Sequence, residues 1–247
     1  MVTECPKCHY QRQASDRHLH PEICPGCGIA YNKWQARAPA VDQPQPGDSN
    51  VTPEEAGHSW RSAFFTTPDK VDPARFTGRI FLLVIFTIWS GFFIMHGISW
   101  TDIGGSFMHN INLPFHEFGH LLFAFFGRFM AILGGSLFQV LLPLGLMFAF
   151  VVQRRDPFAG AIMLWWCGQN FIDISPYIND APYRAIPLIG GMSESAHDWG
   201  NLLTLTNRLE SAHSLARFSF TLGSLVMILA IGWGSYLLYR QSQRLAH

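Results

Sequence analysis

The sequence predicts an all-α polytopic membrane protein of about five transmembrane helices, preceded by a small four-cysteine zinc ribbon. Three observations predict it: a shortage of charge, its uneven distribution, and two closely spaced cysteine pairs near the start. The 247 residues are 49% hydrophobic and only 14% charged, where a soluble chain carries about 25% charged residues. Residues 1–72 hold 16 of the 34 charges, and residues 73–247 hold 18 over more than twice the length. All three lysines (Lys7, Lys33 and Lys70) fall in the first part. The formal net charge is zero. That balance excludes a strongly basic nucleic-acid binder and an acidic disordered tail.

The chain divides into a cysteine-rich front over 1–34, a linker over 35–74 and a transmembrane body over 75–247. The front begins polar, from Met1 to Tyr10, with no apolar stretch behind a basic end. Insertion is therefore expected through an internal span rather than a signal peptide. The linker is punctuated by Pro39, Pro44, Pro46, Gly47, Pro53, Pro68 and Pro73, and most of it reads as flexible. Trp60, Phe64 and Phe65 interrupt it, as a short interfacial helix or as an apolar patch.

The body offers five apolar runs: 80–99, 111–126, 137–152, 158–174 and 215–239. At about 20 residues per span, each is a transmembrane candidate. Residues 175–214 are broken by Pro176, Pro182, Pro187, Gly190 and Gly191. They suit a loop that returns into the membrane domain, where backbone buried in protein is tolerated. With the N-terminus in the cytoplasm, seven arginines and lysines face inward and four face outward. That is a mild preference for this orientation. Free thiolates in the front favour the same side, because the cytosol is reducing.

The front reads Cys5-Pro6-Lys7-Cys8 and, fifteen residues later, Cys24-Pro25-Gly26-Cys27-Gly28. Two residues between paired cysteines let both sulfurs reach one ion from a tight turn, and two such turns complete a tetrahedral site. About 34 residues cannot build a sufficient apolar core, so the metal is expected to supply the folding energy. A structural zinc is the primary reading. Iron in the same cage and disulfides are the others. His9, His18 and His20 read as exposed polar residues, and Cys167 as a buried small one. Lys7, Arg12, Arg17 and Lys33 are offset by Glu4, Asp16 and Glu22, which leaves no basic stripe for nucleic acid. The ribbon reads as a structural element or as a docking site for a cytosolic protein partner.

The second run carries His116-Glu117-x-x-His120. On a helix, positions i and i+4 share a face, so both imidazoles can reach one zinc ion. Glu117, beside the first ligand, is placed to act as general base and then general acid. A carboxylate at span depth costs at least about 2.5 kcal/mol by insertion scales, and it marks a functional site by default. A catalytic zinc needs a third protein ligand and an open position. Asp173, Asp180, His197 and Asp198 are the downstream candidates, and spacing alone does not choose among them.

The membrane-embedded His116-Glu117-x-x-His120, the following Gly134-Gly135-Ser136 span and the later acidic segment resemble the site-2-protease class of intramembrane zinc metalloproteases, closest to its M50B-like bacterial branch. The resemblance covers roughly residues 76–214. It implies a second, catalytic zinc held by His116, His120 and an aspartate on a later segment. The stretch from Gly190-Gly191 to His197-Asp198 fits that segment, which selects Asp198. By analogy, Asn170 would hold a substrate strand or polarise its carbonyl; structural hydrogen bonding inside the bundle is the other reading. The family's Asn-Pro-Asp-Gly pattern is only partly echoed: Asn170 and Pro176 are present, but no Asp-Gly follows. No peptide-binding domain of the PDZ type is inserted.

The resemblance implies a protease cutting membrane-spanning protein substrates within the lipid bilayer, in a bacterial inner (plasma) membrane. The other reading is a catalytically silent membrane scaffold or adaptor that docks partners through the ribbon. A zinc transporter would need ionisable residues spaced along a path, and here they gather around one site. A di-iron oxidase would need more paired histidines than the chain offers.

Overall fold

Asp72 and Pro73 open the first long helix. The Asp72 carboxylate accepts a hydrogen bond from the Ala74 N–H, and proline at the first helical position has no N–H to leave unpaired. The computed structural model describes residues 4–31, 60–68, 70–188, 191 and 193–245. The chain forms two compact units, Met1–Ala56 and Gly57–His247.

In the first unit, two knuckles repeat one backbone design. The Cys5 N–H donates to the Tyr10 carbonyl and the Cys24 N–H to the Ile29 carbonyl, each at 2.9 Å. His9 and Gly28 donate back to Cys5 and Cys24, also at 2.9 Å. Both turns need a positive φ, which Gly28 adopts freely at +71° and His9 adopts at +57°. Isolated bridges pair Glu4 with Gln11 and Ile23 with Ala30. Arg12 holds the intervening loop by donating to the carbonyls of Asp16, Leu19, His20, Pro21 and Ile23. The linker reading over 35–59 lies outside the described residues.

The second unit is all-helical among the described residues. Its helices are α1 (Trp60–Phe65), α2 (Pro73–His96), α3 (Trp100–Gly104), α4 (Phe107–Phe123), α5 (Arg128–Phe148), α6 (Pro157–Asn179), α7 (Asp198–Leu205) and α8 (Ala212–Leu245). The end of the expected linker is thus helical. α1 packs on α8, with Phe64 against Trp233 at 5.7 Å and Phe65 edge-on to Tyr236 at 5.8 Å.

Among the described residues, three helical stretches are long and apolar enough to cross a membrane: Pro73–His96, Arg128–Gln153 and Leu209–Leu245. The other two expected spans differ for physical reasons. α4 has 17 residues, or about 25 Å at 1.5 Å per residue, against an apolar core of about 30 Å. α6 is long enough but carries Gln169, Asn170 and Asp173, all buried. Sixteen of its 23 residues are buried, against three of the 24 in α2. α6 is therefore the inner helix of the bundle, and α2 shows its apolar side chains outward, as with Phe81, Ile88 and Met95.

Glycines set the helix spacing. A Cβ on Gly168 would sit 2.8 Å from the Gly223 carbonyl oxygen, so α6 and α8 cross almost backbone to backbone. Gly119 and Gly134 do the same for α4 and α5, where a Cβ on either would run into the other's carbonyl oxygen. Trp165 fills the centre, packing edge-on against Phe86 at 4.4 Å and donating to Ser90 Oγ at 2.7 Å.

Candidate metal centres

Cys5, Cys8, Cys24 and Cys27 come together with all four sulfurs within 4.8 Å of one another. Cys5 Sγ lies 3.7 Å from Cys27 Sγ, and Cys8 Sγ lies 3.6 Å from Cys24 Sγ. Metal–sulfur bonds of about 2.3 Å in a tetrahedron give an edge of about 3.8 Å, so the cage has the size of a bound ion. All four are free thiols. Burial pushes the Cys24 thiol up, but the backbone N–H groups of Cys27 and Gly26 and the Cys5 thiol outweigh it and lower Cys24 to about 6. The Tyr10 backbone pulls Cys8 down, yet Cys27, burial, Cys5 and Cys24 together push it up to about 12. One sulfur carries charge readily and a neighbour does not. A cation would relieve that conflict and draw the sulfurs into ionised form.

The second centre is built from three helices. His116 and His120 project from one face of α4, with ring centroids 4.8 Å apart. Asp198, the first residue of α7, points its Oδ2 between them, 3.1 Å from His116 Nε2 and 3.3 Å from His120 Nε2. These three ligand atoms also lie within 4.8 Å of one another. Nitrogen and oxygen ligands at about 2.0–2.1 Å define a tetrahedral edge of about 3.3 Å, which matches the two measured distances.

The far sides of both imidazoles are tied. His116 Nδ1 donates to Gln139 Oε1 at 3.1 Å, and His120 Nδ1 donates to the Ala131 carbonyl at 2.8 Å. These bonds leave each Nε2 lone pair facing Asp198, the tautomer a metal ligand needs. Behind them, Gln139 Nε2 donates to Asp173 Oδ2 at 2.7 Å, and Asn112 Nδ2 donates to the same oxygen at 3.1 Å. A Cβ on Gly135 would lie 2.6 Å from His120 Nε2 and 2.7 Å from His116 Nε2, so glycine keeps the metal position open.

Asp198 is held by its neighbours in sequence. His197 Nδ1 accepts from the Gly200 N–H at 3.0 Å and so caps α7. That leaves Nε2 to donate to Asp180 Oδ2 at 3.2 Å. Trp199 Nε1 donates to Ser136 Oγ on α5 at 3.1 Å. Tyr177 Oη accepts from the Asp198 N–H at 2.9 Å.

Of the four third-ligand candidates, Asp198 alone meets the histidines. Asp180 faces His197, and Asp173 sits one layer behind His116 with Gln139 and His109. Asn170 is fully buried, donates to the Trp166 carbonyl at 3.0 Å and leaves its Oδ1 without a partner among the described residues. It is not on the wall of the cavity at the site.

That cavity has a volume of about 400 Å³ and exposes His116, Glu117, His120 and Asp198 together with Tyr177 and Ile186. Glu117 lines the same cavity as His116, His120 and Asp198 and makes no hydrogen bond or ion pair among the described residues. Sequence reasoning did not single out Gln139, Tyr177, Trp199 or Gly135 as supports. For Gln139 and Asn112 a signal existed: each is a lone amide within an apolar run. No protein-family model, curated protein or solved structure matches the chain.

Proposed function

We propose that the chain is an intramembrane zinc metalloprotease of the site-2-protease class, hydrolysing peptide bonds of membrane-spanning substrates. The observation that carries the reading is the meeting of Asp198 with His116 and His120, beside Glu117, on the wall of one cavity. In this reading α4 and α6 also lie within the bilayer. α4 is the short helix that brings the site to depth, and α6 is shielded by its neighbours. The connection from α6 to α8, which contains α7, is the returning segment that delivers Asp198. The N-terminus lies in the cytoplasm of a bacterial cell, and a second, structural zinc fills the cysteine cage.

Zinc, when bound, would polarise the scissile carbonyl and lower the pKa of a coordinated water towards about 7. The chain's own residues do the rest. His116, His120 and Asp198 would hold the ion. Glu117 accepts a proton as the water oxygen bonds to the carbonyl carbon, and returns it to the leaving amine as the C–N bond breaks. Gln139 and the Ala131 carbonyl hold the two imidazoles in place while charge changes around them.

The test is cleavage of a panel of single-span membrane proteins by the zinc-loaded full chain in lipid vesicles, compared with Glu117→Gln. Cleavage by the wild type and loss of about two orders of magnitude or more in the variant is expected. Equal cleavage by both would remove Glu117 from its role. No cleavage by a fully loaded wild type would leave the silent scaffold as the better reading.

A further inference from the structure

The cavity wall carries a third histidine, His109, seven residues before His116 on α4. His109 Nδ1 lies 3.1 and 3.3 Å from the two oxygens of Asp173. Trp100 packs edge-on against its ring at 5.2 Å and fixes the ring plane. Its Nε2 has no hydrogen-bond partner among the described residues. The ring is 17% exposed and the Asp173 side chain 3%.

The Asp173 carboxylate has three donors: His109, Asn112 and Gln139. Two are neutral amides. A buried carboxylate without a cation is strongly unfavourable, and His109 is the only one of the three able to carry charge. The pair therefore reads as imidazolium and carboxylate, with Nε2–H as a donor exposed to the cavity.

Positions i and i+7 share one helix face, and seven residues at 1.5 Å place His109 about 10 Å from His116 along that face. An extended chain advances about 3.3 Å per residue, so His109 stands about three residues from a bond held at the metal position. A substrate helix unwound for cleavage has carbonyl oxygens stripped of their partners, which apolar surroundings make costly. Near His109 the wall carries the aliphatic Leu113 and the indole of Trp100, which packs edge-on against the imidazole.

We propose that His109, held by Asp173, is a substrate-positioning residue that donates from Nε2 to a main-chain carbonyl of the unwound strand about three residues from the scissile bond. This rests on the zinc-site reading above and extends it to how the substrate is held.

The test uses peptide hydroxamates as probes, because the hydroxamate seeks the metal and the attached strand samples the cavity. Two series with one to five leucines, one growing towards each end of the strand, are titrated against the zinc-loaded full chain in micelles. In one series the third leucine is expected to tighten binding about tenfold, the effect of one hydrogen bond to a charged donor. His109→Phe is expected to abolish that step while the single-leucine probe still binds. A second measurement leaves the protein intact: a trans-alkene replacing the third amide removes the oxygen and is expected to cost the same factor. The alkene and His109→Phe losses should not add, because they remove one contact. A step that survives His109→Phe, or no step in either series, overturns the proposal. Failure of every hydroxamate to bind the loaded protein would instead overturn the zinc-site reading on which it rests.

Discussion

Trp199 Nε1 donates to Ser136 Oγ at 3.1 Å, fastening α7 to α5 one residue beyond the aspartate that meets the two histidines. With His197 fastened to Asp180 on the other side, Asp198 is bracketed by two polar anchors, one on α5 and one at the C-cap of α6. An outer partner of this sort orients a metal ligand, and its loss typically weakens metal binding 10–100-fold. Trp199→Phe keeps the ring's packing and removes the N–H. It should weaken the second metal about tenfold while leaving helix content unchanged. A chelator competition on the purified full chain reads the affinity, and an unaltered value would show that the anchor does not position Asp198.

Gly135 gives a sharper prediction. Its missing side chain is the space between His116 Nε2 and His120 Nε2. Gly135→Ala should reduce the bound metal from two ions to one per chain, with the cysteine cage still loaded. Gly145→Ala is the control, since a Cβ there meets nothing within 4 Å. Elemental analysis of both variants decides it: two ions in Gly135→Ala would mean that the metal does not sit at this point.

The aspartates should separate cleanly. Asp198→Asn removes the charged ligand and should abolish the second ion. Asp180→Asn disturbs the His197 anchor and the acceptor of the Ile186 N–H, and Asp173→Asn disturbs the layer behind Gln139 and the partner of His109. Both should keep the ion with affinity lowered about tenfold or less. Loss of metal in Asp180→Asn with retention in Asp198→Asn would reverse the ligand assignment.

The pattern of what was legible follows from the range of each signal. His116 and His120 are four residues apart on one helix, and each cysteine pair closes within one turn, so local spacing exposes them. Asp198 is 82 residues from His116, and no period links them; only the resemblance selected it. Tyr177 and Trp199 are ordinary aromatic residues in sequence, and their roles exist only once α6, α7 and α5 have met. The apolar runs marked the helices but misplaced their ends. α5 starts at Arg128 rather than near residue 137, because Gly127, at a φ of +91°, starts the helix, and Gly134 and Gly135 lie inside it against α4. α6 shows the limit of composition: its polar residues are tolerated because its neighbours cover them, which the sequence of α6 alone does not state.

The cysteine cage makes the last prediction. Its apolar cluster consists of Cys5, Cys24 and Tyr31, with Tyr10 and Ile29 packed against it. Two of the three buried members belong to the cage, so removing a bound metal is expected to remove the reason for the core to close. A strong chelator should therefore abolish hydrogen-exchange protection at the N–H groups of Cys5 and Cys24, which the two knuckles hold, and leave the amides of α6 protected. Acid should act in the same direction. Cys24 is held at about 6, below the ordinary thiol value, so its thiolate persists above that pH and is lost as the pH falls through it. Protons then compete with the metal for one more ligand, and the affinity should fall more steeply below about pH 6 than above it. Exchange protection measured with and without chelator, at about pH 7.5 and about pH 5, tests both statements. Protection of Cys5 and Cys24 that survives complete metal removal would show that the front folds on its own side chains.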